Sequence, residues 1–114
     1  MIAVSLRFHL AVTTTADEND LSDHVGSVMD ELVTLAACDD RLSDPGVSLD
    51  LSNGHVEVEI VVTGDTIGQA VDWGNDAIRT AIHAAGGFTP DWGSTGVATG
   101  GVEYDIENLE MQPA

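Results

Sequence analysis

The sequence predicts an α+β fold: one antiparallel four-stranded sheet with two helices on one face. Three observations predict it. Apolar residues alternate strictly over residues 2–12 and again over "HVEVEI", residues 55–60. Two intervening stretches carry apolar residues at helical spacing. Turn residues separate all of these segments.

The first strand places Ile2, Val4, Leu6, Phe8, Leu10 and Val12 on one face, with Arg7 and His9 on the other. "TTTADEND" then supplies polar caps, and Thr15 with Glu18 matches a capping box. Leu21, Val25, Val28, Leu32, Leu35 and Ala36 form the stripe of a first amphipathic helix. His24 and His83 are expected on helix surfaces, and Cys38, beside Ala36 and Ala37, as a buried structural thiol. Asp44-Pro45-Gly46 reads as a turn, after which Val47, Leu49 and Leu51 alternate with Ser48, Asp50 and Ser52. Asn53-Gly54 predicts a two-residue type I′ hairpin with Ser52 opposite His55 and Asp50 opposite Glu57. Thr66 and Gln69 suggest a second capping box, and Ile67, Ala70, Val71, Gly74, Ile78, Ala81, Ile82 and Ala85 mark a second helix ended by Gly86-Gly87. The last strand, "VEYDIENLEM", sets Val102, Tyr104 and Ile106 against Glu103, Asp105 and Glu107.

This element order is the βαββαβ pattern of the ferredoxin-like sandwich, with expected spatial strand order 4-1-3-2. No repeat or composition shift divides the chain, so residues 1–114 are expected to form one domain. The fold hosts many activities, so function has to be sought in the residues of a site.

Charge narrows the function classes. Twenty Asp and Glu stand against three Arg and no Lys, for a formal net charge of -17. Nucleic-acid affinity rests on cationic side chains displacing counterions, and RNA-binding sheets need exposed aromatics. Three Arg against twenty acids, and a predicted open face without aromatics, exclude nucleic acid as an expected partner. A basic protein partner or a cation fits this field, as does adaptation to high salt. No basic n-region or long apolar run suggests a leader or membrane helix, so a cytoplasmic, non-membrane protein is expected. A homodimer is expected through a helix face or an edge strand, because the acidic stripe would repel its own copy.

The open face of the predicted sheet gathers the chemistry. Strand order and register should bring His9, His55, Glu57, Glu103 and Asp50 to one end of it. Two imidazoles among carboxylates suit a divalent metal ion, the one cofactor the residues suggest. A second candidate is a ligand pocket where the long loop from residue 88 to 101 crosses the second helix, lined by Trp73, Phe88 and Trp92. That loop has neither a GxGxxG nor a GK[ST] sequence, and it leads into a strand, so phosphate binding is not expected. Ser94 in "WGSTG" is no nucleophile elbow. The expectation is a small non-enzymatic binding protein that uses its acidic sheet face. The alternative is a small dimeric enzyme or small-molecule binder using the loop pocket.

Overall fold

The computed structural model describes residues 1–14, 18–50, 52–87, 89 and 102–114. The elements are β1 (Ile2–Thr14), α1 (Glu18–Cys38), β2 (Leu42–Asp50), β3 (His55–Gly64), α2 (Ile67–Ala84) and β4 (Val102–Pro113). The sheet is antiparallel in the order β2-β3-β1-β4, and the chain forms the ferredoxin-like sandwich its element order predicts.

Strand alternation decides what the helices cover. Leu6, Phe8, Leu10, Val56, Val58, Ile60 and Val62 point into the core, where they meet Val28 and Leu32 of α1 and Ile78 and Ile82 of α2. The intervening residues of β1 and β3 face away from the helices. Gly74 brings α2 close to the sheet, for a Cβ there would collide with Leu6 Cδ1 and lie 3.2 Å from Val62 Cγ2.

The ends of α2 follow from local chemistry. Thr66 Oγ1 accepts from Gln69 N at 3.1 Å, and Gln69 Oε1 reaches back to accept from Asp65 N at 2.8 Å. The box predicted from Thr66 and Gln69 therefore closes one residue early. At the far end Gly86 takes φ 88°, Gly86 N donates to His83 O at 3.0 Å, and Gly87 N donates to Ile82 O at 2.8 Å. This is a Schellman closure, which satisfies two carbonyls that the helix leaves open. Thr15, the predicted cap of α1, lies outside the described residues.

Three local details differ from the sequence expectation. First, β2 starts at Leu42, and Asp44-Pro45 is a bulge within it, with Ser43 opposite Val61 and Gly46 opposite Glu59. Proline is tolerated there because β2 is an edge strand and the bulged residue makes no ladder bond. Second, the hairpin register is two residues looser, with Asp50 opposite His55 and Ser48 opposite Glu57. Side-chain turns outcompete the type I′ turn. Asp50 Oδ1 accepts from Ser52 N at 3.0 Å and from Ser52 Oγ at 2.6 Å, while Asn53 Oδ1 accepts from His55 N at 3.1 Å. Among the described residues of the turn Gly54 alone has positive φ, 65°, and its carbonyl accepts from Val12 N at 2.8 Å. A shift by two keeps Val47 and Leu49 on their predicted face. Third, Cys38 is exposed, being the last residue of α1 and off its buried stripe.

Candidate metal centre on the open sheet face

Strand pairing assembles this site. His9 of β1 lies directly opposite Glu57 of β3, and His55 lies two residues before Glu57 on the same face. The residue opposite His55 is Ala11, whose small side chain leaves space for the imidazoles to lean together. Their ring centroids are 5.5 Å apart with planes 30° from parallel.

Three potential ligand atoms converge. His9 Nδ1 is 3.3 Å from His55 Nε2 and 3.4 Å from Glu57 Oε1, and His55 Nε2 is 3.8 Å from that same oxygen. The side chains of His9, His55 and Glu57 are 17%, 29% and 34% exposed, so the group is sheltered yet reachable from solvent. The other nitrogen of each ring faces β4. His55 Nδ1 hydrogen-bonds Glu107 Oε1 at 3.3 Å, and His9 Nε2 lies 3.4 Å from Glu110 Oε1. Arg7 flanks the group, with its Nε 2.7 Å from Glu59 Oε1 and its Nη1 3.8 Å from Glu110 Oε2.

Of the five residues the sequence nominates, the fold brings together His9, His55 and Glu57. Asp50 sits opposite His55, but its carboxylate is turned to Ser52, whose hydroxyl and amide hold its pKa below the usual carboxylate range. Glu103 opposes Thr13, four residues along β1 from His9, and is not in the group. Glu107 and Glu110 take the place of those two. A bulge in the β1–β4 pairing explains this. Leu10 opposes Ile106 while His9 opposes Asn108, leaving Glu107 as the extra residue. The extra residue reverses the alternation of β4, so Glu110 comes to face Arg7 and His9 on the open side while Leu109 packs inward against the core.

Trp73, nominated for the pocket, is partly buried on α2 with the Arg41 guanidinium 4.2 Å above its ring. Arg41 is held in place by a two-pronged pairing with Asp39, Nε to Oδ1 at 2.9 Å and Nη2 to Oδ2 at 2.6 Å. These hydrogen bonds bring the Asp39 pKa down to about 2. Phe88 and Trp92 lie outside the described residues, as does the pocket they would line.

His24 is not the surface residue expected from its acidic neighbours. Its Nδ1 is 2.8 Å from the hydroxyl of the fully buried Tyr104. Gly87 makes room for it, since a Cβ there would come within 2.9 Å of His24 Cε1. Burial pushes the Tyr104 pKa up, so its hydroxyl keeps its proton. Burial lowers the His24 pKa, and a bond to the Ala85 backbone offsets this only in part. A histidine whose folded pKa lies below its unfolded value of about 6.5 binds fewer protons folded than unfolded, so stability falls as pH drops through that window. Urea unfolding at pH 7.5 and 5.5 is therefore expected to show a larger loss for the natural chain than for His24→Gln. Parallel losses would place the acid sensitivity elsewhere. His83, by contrast, is exposed, with Nε2 2.8 Å from Thr89 Oγ1.

Comparison with protein-family models and with curated proteins finds no match. No helix among the described residues is long and apolar enough to cross a membrane.

Proposed function

We propose that the chain is a binding protein whose open sheet face captures a divalent cation through His9 Nδ1, His55 Nε2 and Glu57. One observation carries this reading: the spacing of those three atoms, 3.3, 3.4 and 3.8 Å. A tetrahedral ion with bonds of about 2.0–2.1 Å has ligand–ligand edges of about 3.3–3.4 Å. Two edges of the triangle thus already match one face of such a coordination sphere, and a small movement of His55 or Glu57 would close the third, which is 3.8 Å. The net charge of -17 adds a field that concentrates cations around the molecule.

A thermal melt at fixed ionic strength tests the reading, with EDTA or with Zn, Ni, Mn or Ca added in turn. A cation at a hundred times its dissociation constant stabilises by about 2.7 kcal/mol, a shift of several degrees for a domain of this size. The shift is expected to vanish in His9→Ala and in His55→Ala, both of which should still unfold cooperatively. Flat melts for every metal would retire the cation site.

Docking of a basic protein segment on the same face is the second reading. Its support is that Glu57 and Glu107 on this face, among the described residues, pair with histidine and not with Arg. Homodimerisation through an edge strand is compatible with both readings.

A further inference from the structure

We infer that Glu107 and Glu110 of β4 are the outer carboxylates of this centre, one for each imidazole, and that they tune it for a borderline cation of the zinc type over calcium or magnesium. The inference rests on the cation reading above and extends it to the identity of the ion.

The argument turns on which nitrogen of each ring faces where. A neutral imidazole has one N–H and one lone pair. His9 directs Nδ1 into the triangle and Nε2 toward Glu110; His55 directs Nε2 into the triangle and Nδ1 toward Glu107. The rings use opposite nitrogens for the same task. A carboxylate beside the outer nitrogen favours the tautomer with its proton there, which turns the lone pair inward. That is the usual outer arrangement of metal-binding histidines, and it makes each ring a stronger ligand. The His9 Nε2 atom is screened from solvent and has no hydrogen-bond acceptor at bonding distance, so Glu110 at 3.4 Å is the group poised to accept a hydrogen bond from its N–H. Arg7 Nη1 anchors the other oxygen of Glu110 at 3.8 Å and limits where that carboxylate can move.

With both tautomers set this way, two nitrogen lone pairs and a carboxylate oxygen meet within 3.8 Å. Such a meeting is repulsive until a cation enters it. The donor set decides the class of ion. Calcium takes six to eight oxygens and magnesium keeps most of its waters, whereas two imidazoles and one carboxylate suit zinc and its neighbours.

The test uses the full chain stripped with EDTA, titrated calorimetrically with zinc and then with calcium at pH 8. Glu107→Gln and Glu110→Gln are compared with Glu103→Gln, which removes the same charge from the same strand outside the group. Imidazole ¹⁵N–¹H correlation spectra of the cation-free chain read the tautomers directly. Zinc is expected to bind while calcium does not. Glu107→Gln and Glu110→Gln should each weaken zinc by about 10- to 100-fold; Glu103→Gln should change it little. His9 should carry its proton on Nε2 and His55 on Nδ1 in the natural chain, and each assignment should become mixed in the matching Gln variant. If zinc binds the natural chain and the two Gln variants equally, with tautomers unchanged, the outer-carboxylate assignment is overturned while the cation site stands. An equal loss in Glu103→Gln overturns it too, since charge alone would then be the cause. Calcium binding as tight as zinc overturns the selectivity. No binding of either ion overturns the site itself.

Discussion

Phe8→Ala is expected to cost about 3–5 kcal/mol, the range for emptying a buried aromatic site. Phe8 is fully buried on β1, with Val58 of β3 and Leu109 of β4 on either side. Domains of this kind are stable by only about 5–15 kcal/mol, so the loss should consume much of the total. The urea midpoint should fall sharply with an unchanged slope. The experiment also separates two roles along one strand. Phe8 and His9 are neighbours in sequence and point to opposite faces, so Phe8→Ala should lower stability with or without metal, whereas His9→Ala should mainly abolish the response to metal. An unchanged midpoint in Phe8→Ala would contradict the packing of β1 at the centre of the sheet.

Gly74→Val should be the second large loss, about 3 kcal/mol, at the upper end of what overpacking a core costs. Its Cβ alone would press on Leu6 Cδ1, and Val62 Cγ2 stands 3.2 Å away, so the added methyl groups have nowhere to go. To admit them, α2 must lift from the sheet or Leu6 must leave its rotamer. Gly26 supplies the contrast. It is exposed on α1 with nothing within 4 Å of a Cβ, so Gly26→Ala should gain up to about 1 kcal/mol from helix propensity alone. Two helical glycines thus predict opposite signs in the same denaturation experiment. Destabilisation by both would indicate that propensity and local backbone, not closeness to the sheet, govern these positions.

The outcome of reading the sequence follows from the range of the forces involved. Strand alternation and helical spacing are set by burial, so the six elements, their order and the facing of His9, His55 and Glu57 could be inferred from pattern alone. Register within the hairpin depends on side chains competing for a few backbone amides. Asp50 and Asn53 won that competition against the expected turn, and the partner of Glu57 changed from Asp50 to Ser48. Glu110 was missed because alternation was extended through Glu107 without a break. A signal was present. Apolar residues fall at 102, 104, 106, then 109 and 111, and the single step of three marks the bulge. The setting of His24 had a weaker signal, since it lies three residues after Leu21 and beside Val25 at the margin of the buried stripe. Its partner Tyr104 is 80 residues away, a distance no local pattern spans.

The bulge at Glu107 works like an inserted letter in a text read in pairs. Everything downstream of it is in the other frame. Pairing that residue straight into the ladder opposite His9 would turn Leu109 out to water and drive Glu110 toward the helices, whereas deleting it would remove the bulge and leave every downstream pair in place. A strand one residue shorter at this point should therefore keep its facing and lose only the Glu107 carboxylate beside His55. A single residue with no partner of its own across the ladder thus keeps two halves of one strand in phase with two different neighbourhoods, an apolar interior ahead of it and a charged frame for two histidines behind.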